Sequence, residues 1–114
     1  MKYALLVYAD PSSFAALNEE EAAKVSEQYW AVREQAGFIA GEQLQPTHTA
    51  TTVRVDDGQA LVTDGPFADT KEVFGGFYLF EAENLDNAIE IASQVPSTWM
   101  GGSVEIRPLV ERNS

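Results

Sequence analysis

The chain contains no cysteine. That excludes a disulfide framework, a thiolate nucleophile and any sulfur-ligated metal. A single histidine, His48, leaves no multi-histidine metal site within one copy. Basic residues are scarce, 7 against 18 acidic ones, for a formal net charge of −11. Such a surface repels phosphate backbones and anionic headgroups, which argues against nucleic-acid and membrane partners. Long apolar runs are missing as well. The opening run from Met1 to Tyr8 is too short for a signal peptide, and Asp10 and Pro11 follow where a small-residue cleavage site would lie. Nothing else approaches the length of a membrane span. Low-complexity segments, linkers and fixed-period repeats are absent too. The expectation is a cytoplasmic protein, and a cysteine-free composition fits a reducing compartment.

What remains is ordinary globular material. With 114 residues, 45% of them hydrophobic, the chain is expected to form one domain over 1–114 with its own core. Tyr3 to Tyr8 reads as a buried strand ending at Asp10 and Pro11. Asn18 caps a helix, with Glu21 three residues on completing a capping-box pattern. Val25, Tyr29, Val32 and Ala36 form its apolar stripe, and Gly37 is the expected stop. Phe38 to Leu44 reads as a second strand. Asp57 and Gly58 then separate 51–55 from 59–63, a two-residue hairpin signal that sets Val53 against Val62 and Val55 against Ala60. Gly75 to Glu83 reads as another strand. A helix capped by Asn84 follows, with Leu85, Ala88, Ile89, Ala92 and Val95 as its core stripe and Pro96 as its end. Ser103 to Leu109 closes the chain as a strand.

The order β-α-β, hairpin, β-α-β predicts an α+β fold: a ferredoxin-like split βαβ sheet with an added β-hairpin and both helices on one face. The strands are nevertheless apolar on both sides. Tyr3, Leu5 and Val7 alternate with Ala4, Leu6 and Tyr8, and Phe77 and Leu79 with Tyr78 and Phe80. Helices cover one side only, so a second copy is the simplest cover for the other.

Five segments then stand out: MKY at 1–3, TTVR at 51–54, VTDGPFADTKE at 62–72, GGFY at 75–78 and VEIRP at 104–108. In this order and spacing, over nearly the whole chain, they resemble the DGPF-type, YCII-related family. The resemblance implies a dimeric α/β-barrel, in which two ferredoxin-like sheets pack face to face as a homodimer. It implies less about activity. Most DGPF-type members have no assigned reaction, some occur alongside extracytoplasmic-function sigma factors, and the wider group includes a dehydrochlorinase acting on a chlorinated hydroxyquinol. Some members carry a His–Asp pair proposed as catalytic. Here the histidine position falls near Ser26 or Gln28 and the aspartate position is Val95, so both partners are missing.

The ionisable loop between strands is where the residues themselves place chemistry. Asp64 either fixes its turn by accepting backbone N–H groups or serves as a general base in an apolar cleft. Lys71 and Glu72 form either a surface ion pair or a cleft group that binds an anion or a developing enolate or phenolate. Phe67 lies in the same loop as a candidate binding residue. Tyr8 and Asp10, where the first strand ends, can line the same cleft. Arg107 is either a strand-surface partner of Glu105 or an anion binder. His48 reads as an exposed loop residue. No cofactor or metal is expected. Gly75 and Gly76 enter a strand, unlike a phosphate loop. The turn at 56–58 lacks calcium-loop spacing, and one histidine supports no Ser-His-Asp arrangement. Two functions stay open: a small cofactor-free enzyme performing proton abstraction, isomerisation or elimination on a small hydroxylated or aromatic molecule, and a non-catalytic ligand-binding or regulatory module.

Overall fold

The computed structural model describes residues 1–66, 68 and 70–112. Its strands are β1 (Lys2–Ala9), β2 (Phe38–Gln43), β3 (Thr51–Asp56), β4 (Gln59–Asp64), β5 (Val73–Glu81) and β6 (Ser103–Pro108). The helices are α1 (Pro11–Ala15), α2 (Glu19–Ala31) and α3 (Leu85–Ala92). Four strands form an antiparallel sheet in the order β2-β5-β1-β6, and β3 pairs only with β4. This is the ferredoxin-like α+β arrangement, with the hairpin inserted between the second and third strands of the split βαβ sheet.

Local chemistry explains most of the elements. The Asn18 side chain accepts from the Glu21 N–H at 2.8 Å, and the Glu21 carboxylate accepts from the Asn18 N–H at 3.1 Å. Two orphan donors at the start of α2 are thereby satisfied. The helix ends at Ala31 in a 3-10 turn over Val32–Glu34, and Gln35 is already extended. Gly37 therefore does not stop the helix, and Ala36 falls outside its stripe. The left-handed φ of +91° at Gly37 instead aims its carbonyl at the Glu81 N–H, 2.8 Å away, where β2 joins β5. The short α1 had its own signal in the sequence, an Asp10 cap followed by Pro11 at the first helical position.

The core lies between the helices and one sheet face. Leu5, Val32, Phe80 and Val95 are fully buried, joined by Tyr3, Val7, Ala88, Ile91 and Ala92. Each large apolar side chain so buried contributes about 1.5–3 kcal/mol. On α3 the inward set is Ala88, Ile91 and Ala92, with Val95 buried just beyond its end, while Leu85 and Ile89 are 51% and 46% exposed. The stripe is thus turned from the expected one: positions i, i+3 and i+4 counted from Ala88 face the sheet, and Ile89 lies about 100° away from Ala88. Ala4, Leu6, Phe77 and Leu79 occupy the opposite sheet face, by register, and among the described residues no helix belongs to the core on that side.

The hairpin register is the expected one, with Val53 opposite Val62 and Val55 opposite Ala60. Asp57 and Gly58 both have positive φ, +50° and +77°, as a turn matched to strand twist requires. Its base is pinned where the Gly65 N–H donates to the Ala50 carbonyl and the Thr52 hydroxyl to the Gly65 carbonyl, each at 2.7 Å. Beyond that base every arm residue from Val53 to Asp64 is exposed. The expected half-exposed hairpin is an arm standing in water on both faces.

Candidate functional site

One irregularity in the sheet positions the candidate site. Val7 pairs with Gly76, but Tyr8 pairs with Phe74, so Gly75 is an extra residue and β5 bulges. The strand begins at Val73, and the two glycines lie inside it, two residues deeper than the expected start at Gly75. A reason is visible at Gly76, where a side-chain carbon would meet the Glu42 carbonyl oxygen at 2.7 Å. The bulge brings Tyr8 opposite Phe74, their ring centres 5.5 Å apart, at the sheet end where β1 finishes and β5 and β6 begin.

At that end an open cleft of about 560 Å³ is lined by Tyr8, the loop residues Thr70, Lys71 and Glu72, and Ser103, Val104 and Glu105 of β6. Register explains the company: Tyr8 faces Ser103 and Leu6 faces Glu105 on one sheet face. The Ser103 hydroxyl donates to a Glu72 carboxylate oxygen at 3.0 Å, fastening the loop to the sheet. The Thr70 hydroxyl donates to the Glu72 carbonyl. The cleft thus offers one ammonium, two carboxylates, a phenol and two hydroxyls beside an aromatic pair. That set suits a small molecule with an anionic or phenolic oxygen.

Asp10 sits next to the cleft but outside its lining. Its carboxylate accepts from the Ser12 hydroxyl at 2.7 Å and the Ser12 N–H at 3.0 Å. The Ser12 hydroxyl chiefly, then the Ser12 N–H, hold its pKa below the usual carboxylate value; burial opposes them and the Lys71 charge lowers it further. Asp10 is therefore an ionised helix cap that feels Lys71. It also lines a small cavity of about 30 Å³ with Tyr29, Ser97 and Met100, space for about one water.

The remaining candidates scatter. Asp64 ends β4 opposite Thr51, at the base of the arm, and is not among the cleft-lining residues. Arg107 stands exposed on β6 opposite Ala4, further along the strand. His48 is exposed in the 3-10 turn Thr47–Thr49. Phe67 lies outside the described residues. The sequence reading left out Ser103 and Thr70, and took Glu105 only as a surface partner of Arg107. Alternation along β6 puts Ser103, Glu105 and Arg107 on one side, but only the pairing with β1 shows that two of them meet Tyr8. Among the described residues no group of His, Asp and Glu could hold a metal ion, and no helix is long and apolar enough to cross a membrane.

The helix positions named for a His–Asp pair are structural here. Gln28 donates its side-chain amide to the Gln94 carbonyl at 3.1 Å, and the neighbouring Val95 is fully buried. This contact latches α2 to the end of α3 and carries no titratable group.

The YCII-related domain is matched over residues 1–113. The chain belongs to the YCII-related family. An uncharacterised protein of Rhizobium meliloti (strain 1021) is 41% identical over 117 residues, covering 96% of this chain and 92% of that protein. Among solved structures, the chain resembles 5-chloro-2-hydroxyhydroquinone dehydrochlorinase from Burkholderia phenoliruptrix AC1100, in complex with 2,5-dihydroxybenzoquinone. The TM-score is 0.53 at 17% identity, covering 98% of this chain and 96% of that one. At that identity the likeness concerns the fold. The ferredoxin-like sheet of this YCII-related chain is thus a fold that it shares with that protein.

Proposed function

We propose that the cleft binds a small hydroxylated or aromatic molecule and that the protein acts on it as a small cofactor-free enzyme, by proton abstraction, isomerisation or elimination. The observation that carries this reading is Lys71. In a chain of net charge −11, one of its 7 basic residues is brought beside Tyr8 and Glu72 in a cleft. An ammonium there stabilises a phenolate or enolate as charge develops. The Tyr8–Phe74 pair offers a ring surface, and the dihydroxybenzoquinone of the fold neighbour belongs to the same ligand class. Glu72, oriented by Ser103, is the cleft carboxylate we assign to proton transfer. Asp64, opposite Thr51 at the base of the arm, does not line the cleft and takes no part in this reading. We further propose a cytoplasmic homodimer whose apolar open sheet faces pack on each other.

The test is thermal shift with hydroxylated quinones, catechol-type phenols and small carboxylates. At a hundredfold excess over Kd a true ligand adds about 3 kcal/mol of stability. Wild-type protein should gain melting temperature with the phenolic set, and Lys71→Met should not. A panel that leaves the wild type unmoved overturns the reading.

One observation favours the alternative of binding or regulation without turnover: the Ser103 hydroxyl already donates to a Glu72 carboxylate oxygen, occupying a lone pair that proton abstraction would use. Glu72→Gln separates the two. Lost turnover with retained binding supports the enzyme, and binding with no turnover of any bound ligand by the wild type supports the module.

A further inference from the structure

The Arg33 guanidinium is held by two aromatic rings and has no carboxylate partner among the described residues. Its central carbon lies over the Trp30 ring, 4.8 Å from the ring centre, and over the Phe38 ring at 5.1 Å. Both distances are within cation–π range. The ion pairs of the described residues join Met1 to Glu81 and Lys24 to Glu20, and no side-chain hydrogen bond engages Arg33. The chain has 18 acidic residues, yet none of those described is brought to this group.

The arrangement is built locally. Trp30 ends α2 one residue before its last, and Arg33 follows at i+3 in the 3-10 turn, so the two share a face. The chain reverses at Gly37, and Phe38 opens β2 beside them. Phe38 is fixed in turn, packed edge-on against the fully buried Phe80 with ring centres 5.6 Å apart. Trp30 is 59% exposed, so its indole is open to a ligand. Stacking occupies the flat faces of a guanidinium and leaves its N–H edge, the fork that takes a carboxylate through two parallel hydrogen bonds. A basic residue at a helix end also complements the helix dipole, but lysine does that as well and needs no aromatic walls.

This place is separate from the cleft. Phe38 pairs with Phe80 towards the end of β5, whereas Phe74 lies at its start, and Phe38 packs on the core side of the sheet. Charge narrows the ligand. At net −11 the protein repels an acidic protein segment or a polyphosphate, which bring several charges, far more than a single carboxylate. We propose that Trp30, Arg33 and Phe38 form a second binding site, for a small aromatic monocarboxylate: the Arg33 fork takes the carboxylate and the Trp30 indole takes the ring.

Tryptophan fluorescence tests the proposal, with benzoate as the probe. The chain has two tryptophans, so Trp99→Phe leaves Trp30 as the sole emitter. Benzoate should change its emission saturably, whereas benzamide, similar in shape but uncharged, should not. Arg33→Lys keeps the charge and loses the fork, so it should raise the benzoate dissociation constant at least about tenfold with little change in melting temperature. Arg107→Lys, the same exchange at an exposed arginine of β6, should leave the constant unchanged. The benzamide contrast uses the unaltered site and stands even if Arg33→Lys disturbs the fold. Equal responses to benzoate and benzamide overturn the proposal, as does linear, unsaturating quenching. Equal weakening by Arg107→Lys, or a benzoate constant indifferent to Arg33→Lys, overturns it too.

Discussion

Ser103 and Glu72, 31 positions apart, are joined by a 3.0 Å hydrogen bond that ties the ionisable loop to the first residue of β6. Both residues are exposed, so the bond adds little to global stability. Ser103→Ala should change the free energy of unfolding by no more than about 0.5 kcal/mol. It should nevertheless weaken phenolic ligand binding, because the loop carrying Lys71 loses its anchor. Calorimetric titration checks this, and unchanged affinity would show that the loop is held some other way.

Gly37→Ala should be the costliest small substitution in the chain. A side-chain carbon there would lie 2.1 Å from the Glu81 carbonyl oxygen, and φ is +91°. Overlap with backbone cannot be relieved by a rotamer change, and left-handed φ adds its own penalty. A loss of more than about 2 kcal/mol in urea unfolding is expected.

At Gly58 the same substitution acts differently. Nothing lies within 4 Å of an added carbon, so only the left-handed backbone at φ +77° resists it. The cost is about 1 kcal/mol. Because the arm stands clear of the core, this should appear as faster amide exchange in 53–62 with little change in the melting of the sheet. A matching drop in global stability would mean that the arm folds together with the core.

Tyr78 donates its hydroxyl to the Tyr29 carbonyl at 2.6 Å. Burial, then the neighbouring Tyr29, push its pKa from 10.0 to about 12, against a smaller opposing pull from Arg33. Below pH 10 the phenol is neutral whether the chain is folded or not, and its contribution is fully present. Between the two values only the unfolded phenol ionises, so stability falls as pH rises, by about 2 kcal/mol at the upper end. Tyr78→Phe should flatten this alkaline slope and cost about 1 kcal/mol at neutral pH through the lost bond. Denaturant titrations from pH 8 to 12 provide the measurement.

Elements whose causes lie within a few residues were legible from the chain alone. The Asn18–Glu21 capping box, the Asp57–Gly58 turn with its register, and the alternation that leaves β1 and β5 apolar on both sides each depend on neighbours in sequence. The ferredoxin-like order follows from them. Tertiary structure decided the rest. The bulge at Gly75, where β5 carries one residue more than β1, brings Tyr8 opposite Phe74. Ser103 enters the cleft through its pairing with Tyr8, 95 positions away. The rotation of α3 that buries Ile91 and exposes Ile89 depends on how the helix seats on the sheet. Asp64 and Lys71 share one loop in sequence, but only Lys71 reaches the cleft lining, because the Ala50–Gly65 bond sends Asp64 into the arm. Caps, turns and alternation are set by local energies, whereas a site is set by which distant strands meet and in what register.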